Sequence, residues 1–469
     1  METEQLITNV PFDELKIGQS ASLTKTLSPD DIKLFAVMSG DINPAHLDKQ
    51  YAGDHQFGGI IGHGMWSGAI ISTVLGTILP GIGTIYLNQA LEFKRPIHPN
   101  ETVVFTVTVK EKKLNKPIVV FECVCVNSLG EVVVSGNATV LAPTEKISVK
   151  RPHLPEIFMH EYDFYQQLID SCKGFPPVPT AIVHPTDALT LKAALEATEF
   201  GLITPILIGP EDKIKKAADE AGIDISKYTL LNTEHSHASA EMAVELAVSK
   251  KVQIIQKGKL HTDELLGAVV KSKGLHTERR ISHCYFMDVP TYSKPLIITD
   301  AAINISPTLN EKADICRNAI DLWHIVNTID GRLPKVAVLA AVETVTDRMQ
   351  ATIDAASLCK MADRDQIKRA ILDGPLAFDL AISKQAVESK GIKSLVAGDA
   401  DILLMPDINA GNMVAKQLTF LTLSDAAGVV LGARVPIVIT SRSDSVKTRL
   451  MSTALAIRIS DARSKGAIK

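Results

Sequence analysis

The chain has 469 residues, which predicts two to four domains at about 100–200 residues per domain. Apolar residues make up 46% of the chain and charged residues 22%, so its segments can bury cores and extensive disorder is excluded. A formal net charge of −4 argues against a dedicated nucleic-acid-binding protein.

The sequence also lacks the usual signs of export and membrane insertion. Its start, Met1-Glu2-Thr3-Glu4, has neither the basic nor the apolar region of a secretory signal, and the longest apolar stretch, near 68–83, is interrupted by Ser, Thr and Pro. Six cysteines without a Cys-x-x-Cys pair favour reduced thiols over a disulfide framework or a zinc site. We therefore expect a cytoplasmic protein with no metal, no membrane contact and no nucleic-acid partner.

The first 145 residues combine one apolar helix with several strands. Residues 103–109 alternate in polarity, and 118–126 and 131–141 are rich in valine. Turn signals containing Pro, Gly and Asn separate these runs. A long apolar helix followed by antiparallel strands predicts an α+β domain over 1–145, in which a sheet wraps around the helix.

The pattern then changes to alternating strands and helices. Three prolines within 143–155 predict a linker at 146–160. The short apolar runs beyond it lie at 205–208, 253–256, 295–299, 336–339, 402–405 and 437–440. Their alternation with helical stretches predicts parallel sheets covered by helices. Residues 161–469 suffice for two α/β lobes, with a ligand cleft at the carboxyl ends of the strands.

An aspartate and a histidine five residues apart form the first candidate site. Between Asp41 and His46 lie Asn43 and Pro44, which oppose a regular helix, so both side chains can turn toward one point. A carboxylate beside an imidazole can raise its basicity and orient a water molecule. Taken singly, however, Asp41 could brace a turn and His46 could be a core histidine.

The order of residues around this pair resembles a known family. Ser-Gly-Asp-x-Asn-Pro-x-His-x-Asp over 39–48, followed by Gly-His-Gly-Met over 62–65, is similar to the motif of the MaoC-like (R)-specific enoyl-CoA hydratases. The resemblance covers roughly residues 10–142 and implies a hotdog fold. The glycine-rich segment opens the apolar helix, and a helix N-terminus favours the developing negative charge of an enolate.

The resemblance to these hydratases also implies roles for individual residues. Asp41 and His46 would activate water for addition to a trans-2-enoyl-CoA, and the Gly64 N–H would lie in the oxyanion hole. Asn43 would hold the catalytic loop and Ser72 would line the site. The family further implies a homo-oligomer, a dimer or higher. The alternative is a hotdog domain kept only for oligomerisation or acyl-CoA binding.

A strand-to-helix turn near the end of the sequence forms the second candidate site. Ser441 and Arg442 lie between an apolar run at 435–439 and a helix predicted over 446–459. A strand that leads into a helix N-terminus favours an anion, and arginine can bind a phosphate through two N–H groups. Ser441 and Asp444 also have the spacing of a capping box, which leaves a purely structural role open.

A basic segment offers a second contribution to this site. Residues 250–280 carry eight Lys and Arg against three Asp and Glu in a chain of net charge −4. Such a segment can attract a polyanion such as coenzyme A, although a solvated helix face has the same composition. Lys257 ends an apolar strand and Thr262 begins the next helix, which is the position of a ligand loop.

Together these segments resemble the phosphate acetyl/butyryltransferase family over roughly residues 155–465. The matching strings lie at 256–262, 299–304, 349–352, 360–364, 373–379, 398–407, 409–412 and 441–444. The family moves an acyl group between coenzyme A and inorganic phosphate, with no covalent enzyme intermediate and no covalently bound cofactor. The resemblance implies catalytic roles for Ser441 and Arg442 and substrate contacts from Lys257, Thr262, Asp300 and Asn304.

One departure concerns the base that activates the thiol. Acetyl-specific members often have Gly after the Ser-Arg pair and an aspartate further along the helix, whereas 443–448 is closer to the butyryl type. Asp444 is therefore only a candidate for the base. The sequence as a whole predicts a multidomain enzyme, a hotdog hydratase fused to a two-lobed phosphate acyltransferase. The alternatives are a single-activity acyltransferase and a non-catalytic acyl-CoA-binding scaffold.

Overall fold

The computed structural model describes residues 6–113, 115–155, 157, 159, 164–327, 331–441 and 444–468. The chain divides into two compact units, Met1–Met159 and His160–Lys469. None of the helices in the described ranges combines the length and apolar character that a membrane crossing needs. The six cysteines are all free thiols, and five of them are buried.

The first unit contains seven strands and four helices among its described residues. The strands are β1 (Leu6–Thr8), β2 (Ser20–Thr26), β3 (Ile85–Phe93), β4 (Thr102–Lys112), β5 (Ile118–Asn127), β6 (Val132–Leu141) and β7 (Ser148–Lys150). The helices are α1 (Pro29–Ser39), α2 (Pro44–Leu47), α3 (Lys49–Asp54) and α4 (Gly64–Thr77), with a 3-10 turn at Phe12–Glu14.

Five of these strands form an antiparallel sheet in the order β2-β4-β5-β6-β3. Alternate residues of β4, such as Phe105 and Val107, are fully buried, because successive side chains of a strand point to opposite faces. They share one core cluster with Trp66 and Ile71 of α4, and the Trp66 ring meets the Phe105 ring edge-on at 5.6 Å. The predicted α+β arrangement of a sheet around an apolar helix is confirmed.

The predicted linker at 146–160 needs a correction. Its residues Ser148–Lys150 form β7, which pairs with β1 in an antiparallel two-stranded sheet. The side chain of Asn9 fixes this return of the chain, since it accepts from the Ile147 N–H at 2.8 Å and donates to the Glu145 carbonyl at 2.9 Å. The proline pattern alone predicts a linker, because the residues that pair with this segment lie about 140 residues earlier in the chain.

The second unit contains eleven strands and eleven helices among its described residues. The strands are β8 (Val178–Val183), β9 (Ile203–Gly209), β10 (Thr229–Asn232), β11 (Ile254–Lys257), β12 (Ser282–Asp288), β13 (Leu296–Thr299), β14 (Lys335–Leu339), β15 (Ile371–Leu376), β16 (Ile402–Leu404), β17 (Asp425–Leu431) and β18 (Ile437–Val438). The helices are α5 (Phe164–Asp170), α6 (Ala188–Glu199), α7 (Glu211–Ala221), α8 (Ser236–Val248), α9 (Thr262–Lys271), α10 (Leu309–Val326), α11 (Gln350–Asp363), α12 (Phe378–Ile382), α13 (Lys384–Lys390), α14 (Ile408–Leu421) and α15 (Val446–Ser464), with a 3-10 turn at Lys273–Leu275.

All eleven strands join in one sheet, in the order β10-β9-β8-β11-β18-β17-β12-β13-β16-β14-β15. The pairs on either side are parallel, as predicted, but β17 and β12 are antiparallel to both of their neighbours. The prediction of parallel pairing throughout is therefore wrong at the centre. Because three reversals separate β18 from β13, the two parallel halves run in opposite directions, and their carboxyl ends lie at opposite edges of the sheet.

Helices cover both faces of this sheet. One face carries a core cluster that runs from Ile182 of β8 to Leu404 of β16 and includes α15 residues such as Leu455. The opposite face carries two separate clusters, one around Val183 and the other around Leu403. The two lobes predicted from the sequence thus share one sheet and one continuous core face, and they are distinct only on the other face.

Candidate active sites

The segment from Asp41 to His46 connects helix α1 to the short helix α2, which contains His46. Helix α1 ends at Gly40, whose φ of 75° lies in the left-handed region that glycine adopts readily. Asn43 then caps α2, since its side chain accepts from the Ala45 N–H at 3.1 Å, and its own N–H donates to the Asp41 carboxylate at 3.1 Å. Asn43 therefore links the Asp41 carboxylate to the start of α2, and its role in holding a catalytic loop stays a prediction.

The hydrogen bond of His46 defines which of its nitrogens is the base. Its Nδ1 lies 2.8 Å from the Ile61 carbonyl oxygen. A carbonyl can only accept, so Nδ1 carries the proton in the neutral ring, and Nε2 keeps its lone pair. His46 is half-buried and Asp41 is exposed, so both groups are accessible to a small molecule.

A third residue, His63, belongs to this site and was not singled out from the sequence. Its ring lies 3.9 Å from the His46 ring, and its Nε2 donates to the Asp41 carbonyl at 3.3 Å. His63 is 3% exposed, and its Nδ1 is buried without a hydrogen-bond partner among the described residues. Burial lowers the pKa of His63, against the opposing effect of the bond to Asp41, so this ring is neutral near pH 7.

The carboxylate or imidazole atoms of Asp41, His46 and His63 all lie within 4.8 Å of one another. Carboxylate and imidazole groups serve both as acid–base catalysts and as metal ligands. Within the described part of the chain, these three side chains are thus the group that could hold a divalent ion. The structure brings Asp41 and His46 together as the motif predicted.

Gly64 and Ser72 both lie on α4, but at different positions along its axis. Gly64 is the first residue of the helix, directly after His63, so its N–H has no acceptor within the helix and points out of the N-terminus. Ser72 is exposed and lies about 12 Å further along the helix axis. The oxyanion role of Gly64 fits its position, and the role of Ser72 stays a prediction.

In the second unit, Lys257 lies beside the predicted phosphate turn. Strands β8, β11 and β18 are parallel neighbours, so the residues that follow them meet at one edge of the sheet. The ammonium of Lys257 is buried and lies 3.3 Å from the Gly258 carbonyl and 3.5 Å from the Thr440 carbonyl. Lys257 and the turn that begins at Thr440 therefore lie together in one cluster.

The turn that follows Thr440 is held by its own aspartate. The Ser441 N–H donates to the Asp444 carboxylate at 2.6 Å. Burial raises the pKa of Asp444, against the lowering effects of the Ser441 bond and of the Arg449 and Lys257 charges. The capping-box interpretation of Ser441 is wrong, because α15 starts at Val446 and its cap is Ser445, whose side chain accepts from Thr448. Arg442 and Ser443 lie outside the described residues.

Arg449 of α15 also holds the turn that follows Thr440, and the sequence did not indicate this role. Its guanidinium donates to the Thr440 hydroxyl at 2.7 Å, to the Ser441 carbonyl at 2.9 Å and to the Asp444 carbonyl at 3.4 Å. The residue is 4% exposed. Burial lowers its pKa, while Asp187 and Asp444 raise it.

The structure does not bring Asp300 and Asn304 to this cluster. They follow β13, whose carboxyl end lies at the opposite edge of the sheet from that of β18. The Asp300 carboxylate accepts from the N–H groups of Ala302, Ile303 and Asn304 at 2.9–3.2 Å, and the Asn304 side chain donates to it and to the Ile281 carbonyl. Both residues thus support their own loop, and a substrate contact from either of them stays a prediction.

The segment 409–412, which also resembles the transferase family, packs against the loop that contains Asp300. A Cβ on Gly411 would lie 2.2 Å from the Asp300 carbonyl oxygen, so only glycine allows this approach. Asn412 donates from its side chain to the Ala301 carbonyl at 3.0 Å. The contact between segments 299–304 and 409–412 thus explains the glycine at 411 and the asparagine at 412.

A cavity of about 500 Å³ lies at the carboxyl ends of β8, β9 and β11, where Lys259 lines it two residues after Lys257. Its charged lining comes from Lys213 and Lys216 of α7, Lys259, Glu220 and Glu264, together with His184 and His261. Thr262, a predicted substrate contact, is partly buried as the first residue of α9, directly after His261. This cavity brings the basic segment and the α7 lysines together, which the sequence did not indicate.

Two family profiles match the chain. One, described as MaoC like domain, matches residues 14–125, and the other, described as phosphate acetyl/butaryl transferase, matches residues 257–457. The phosphate acetyltransferase of Rickettsia felis is 52% identical over 319 residues, which covers 68% of this chain and 89% of that protein.

Two solved structures are similar to different parts of the chain. A branched-chain phosphotransacylase from Enterococcus faecalis is 29% identical, with a TM-score of 0.53, over 60% of this chain and 99% of that one. The R-hydratase PhaJ1 from Pseudomonas aeruginosa is 44% identical, with a TM-score of 0.32, over 33% of this chain and 100% of that one.

Proposed function

The chain belongs to the phosphate acetyltransferase family and carries a MaoC-like hydratase domain, and on this premise we propose which residues perform each reaction. The protein is a bifunctional acyl-CoA enzyme, a hydratase and a phosphate acyltransferase. Asp41 and His46 serve hydration in the first unit. Lys257 and the turn that begins at Thr440 serve acyl transfer in the second.

For hydration, the proposal depends on the bond from His46 Nδ1 to the Ile61 carbonyl. With Nδ1 protonated, Nε2 accepts a proton from a water molecule that Asp41 also orients. The water oxygen adds to C3 of a trans-2-enoyl-CoA, and the negative charge develops on the thioester oxygen. The Gly64 N–H at the start of α4 stabilises that charge, and transfer of the water proton from His46 to C2 completes a 3-hydroxyacyl-CoA. The motif over 39–65 favours the (R) product.

For acyl transfer, the proposal depends on the contact of the Lys257 ammonium with the Thr440 carbonyl. Lys257 and Arg442 hold phosphate at the turn, and Ser441 donates to it. A phosphate oxygen attacks the thioester carbonyl, the C–S bond breaks, and the thiolate takes a proton from Asp444. In the reverse direction Asp444 removes the thiol proton, and its raised pKa makes it a stronger base than an ordinary aspartate.

The test of this phosphate site is Arg442→Lys. Lysine keeps the charge but cannot reproduce a two-point guanidinium contact. We expect phosphate-dependent release of CoA to fall about 10²-fold or more if the contact stabilises transition-state charge. An unchanged rate would remove Arg442 from the site.

We propose that the nucleotide end of coenzyme A enters the 500 Å³ cavity. Two strand spacings of about 4.8 Å separate β18 from β8 at this edge, a distance that the pantetheine arm can span. Lys213→Glu should raise the KM for CoA more than the KM for dephospho-CoA. The control is Lys215→Glu on the same helix, because Lys215 pairs with Glu211 and does not line the cavity. Equal KM effects in both variants would contradict this placement.

The acyl group transferred is proposed to be acetyl. The support is the extent of similarity to the Rickettsia felis phosphate acetyltransferase, whereas the stretch at 443–448 is closer to the butyryl type. The ratio of kcat/KM for acetyl-CoA to that for butyryl-CoA decides between them, and a ratio below one would contradict the proposal.

We also propose that the hotdog domain forms a homo-oligomer through β3. This strand lies at the edge of its sheet and exposes Ile85, Tyr86, Leu87 and Phe93. An apolar edge strand favours pairing with a second copy. Light scattering on the purified chain tests this, and a monomer at micromolar concentration would contradict it.

The free, mostly buried thiols support a reducing, cytoplasmic location.

The rival function is an acyltransferase whose hotdog domain only assembles the protein. It is distinguished by assaying one preparation for crotonyl-CoA hydration and for phosphate-dependent CoA release. Hydration that is absent while transfer is normal would favour the rival. The closeness of Asp41, His46 and His63 favours an active hydratase, because assembly alone requires no such cluster.

A further inference from the structure

The second unit contains another cluster of charged side chains, apart from the transfer site. It surrounds a cavity of about 240 Å³ between α10 and the turn that joins α11 to β15. The charged lining consists of Arg279, Arg317, Lys368 and Arg369 against Asp321 and Asp365. Neither the hydratase nor the transferase assignment uses any of these residues.

Arg279 and Arg369 both donate hydrogen bonds to the buried carboxylate of Asp321. Asp321 is 8% exposed, and one of its oxygens accepts from Arg279 at 2.5 Å while the other accepts from Arg369 at 3.1 Å. One negative charge thus faces two guanidinium groups. Lys368 has no carboxylate within ion-pair distance among the described residues. The cavity therefore keeps a positive surplus after its internal pairs are counted.

A further guanidinium lies close to the same carboxylate. The Nε and Nη1 atoms of Arg463, on α15, are buried and have no hydrogen-bond partner among the described residues. Burial lowers the pKa of Arg463 to about 10, Asp321 raises it and the charge of Arg279 lowers it. Arg463 does not line the cavity, but its charge adds to the positive potential beside Asp321 and would attract an anion in the cavity.

Arg317 shapes the opposite wall without adding a free charge. Its guanidinium donates to the Asp314 carboxylate at 2.6 Å and to the Gln366 carbonyl at 2.9 Å. These bonds fix the turn that carries Lys368 and Arg369 relative to α10. The cationic side chains are therefore supported by defined neighbours on both sides of the cavity.

We propose that this cavity is a binding site for a small phosphate-class anion, either inorganic phosphate or a phosphomonoester. Arginine forks match the oxygens of such an anion, and the volume suits a phosphate group with a short organic portion rather than coenzyme A. The site is separate from the transfer site, because its lining residues belong to α10 and to the segments before β12 and β15, and none of them contributes to the cluster of Lys257 and Thr440.

The test is equilibrium dialysis of the full chain with radiolabelled inorganic phosphate. The variant is Lys368→Gln/Arg369→Gln, which leaves Asp321 paired with Arg279. The control is Arg364→Gln, since Arg364 is an exposed arginine of the same turn that does not line the cavity. We expect the parent and the control to bind one more phosphate per chain than the variant, or to bind that phosphate at least about tenfold more tightly.

The KM for phosphate in acyl transfer separates this site from the transfer site. It should be unchanged in Lys368→Gln/Arg369→Gln, while the dialysis count falls. The dialysis result stands even if the chain shows no acyl transfer, so the two proposals fail independently. Competition by glycerol 3-phosphate identifies a phosphomonoester site, and competition by phosphate alone identifies an inorganic phosphate site. Equal stoichiometry and affinity in the variant and the parent would overturn the proposal.

Discussion

The imidazole rings of His46 and His63 lie with their centroids 3.9 Å apart, and His63 also donates from Nε2 to the carbonyl of Asp41. His63 thus contacts both members of the proposed acid–base pair. Because it directly precedes Gly64, it also ties that pair to the helix N-terminus where the thioester oxygen would lie. Its lowered pKa keeps it neutral, so it supports His46 without competing for the proton. We regard His63 as a positioning residue.

His63→Phe tests this role. Phenylalanine keeps a ring against His46 but removes the bond to the Asp41 carbonyl, so the loop should shift by a fraction of an ångström. We expect kcat for crotonyl-CoA hydration to fall about tenfold or more, with KM and melting temperature nearly unchanged. His55→Phe, at an exposed histidine on the same unit, is the control. Equal kcat in the two variants would show that His63 only fills space.

Arg449→Met tests the support of the phosphate turn. The substitution removes three donors to Thr440, Ser441 and Asp444, and we expect acyl transfer to fall about 10²-fold while hydration in the other unit is unchanged. The control is Arg458→Met on the same helix, which loses bonds to the Ser171 and Ile325 carbonyls. It should lower thermal stability and leave transfer kinetics intact below the melting transition. Similar kinetics in the two variants would contradict the assignment.

Ser445→Ala and Ser441→Ala separate capping from catalysis. Ser445 is the observed cap of α15, so its loss should lower the free energy of unfolding by about 1 kcal/mol with little effect on transfer. Ser441 is not the cap, and its loss should lower transfer with less effect on stability. Urea denaturation and CoA-release kinetics on both variants provide the comparison. The reverse pattern would restore the capping interpretation of Ser441.

Asp399→Asn tests a charged network at the amino ends of β14 and β16. Burial alone raises the pKa of Asp399, but Lys294 and Lys335 outweigh it and lower the pKa from 3.8 to about 2. A folded-state pKa below the unfolded value stabilises the fold above about pH 4, and this contribution is lost as the pH falls toward 2.

The variant should therefore be less stable than the parent at pH 7, and the difference should shrink between about pH 4 and 2. Asp363→Asn is the control, because Asp363 forms only an exposed pair with Lys360. Urea midpoints across this pH range provide the measurement. A difference that stays constant down to pH 2 would contradict the role of the ionised carboxylate.

Local patterns predicted much of the first site and of the strand positions. Asp41, Asn43 and His46 lie within one short motif, so their closeness follows from the loop that Pro44 imposes. His63 lies within the Gly-His-Gly-Met motif, but no local rule indicates that its ring lies against the ring of His46. The role of Arg449 was not predicted for the same reason, since its contact with Thr440 depends on how α15 packs against the end of β18.

The direction of the central strands was also beyond the sequence. An apolar run such as β17 has the same composition whether its neighbours are parallel or antiparallel. Because of this ambiguity the sequence predicts one cleft at the carboxyl ends of the strands, whereas Asp300 and Ser441 lie at opposite edges of the sheet. The pairing of β12 with β13 and β17 reverses one half of the sheet and separates those residues.

The most direct test of the central claim, two reactions performed by two units of one chain, is Asp41→Asn in the full-length protein. Both activities are measured on one preparation: crotonyl-CoA hydration and phosphate-dependent release of CoA from acetyl-CoA. The account predicts that hydration falls by about 10²–10⁴-fold, because a general acid–base group is removed, and that CoA release stays at the parent rate. Hydration at the parent rate, or an equal loss of both activities, would contradict it.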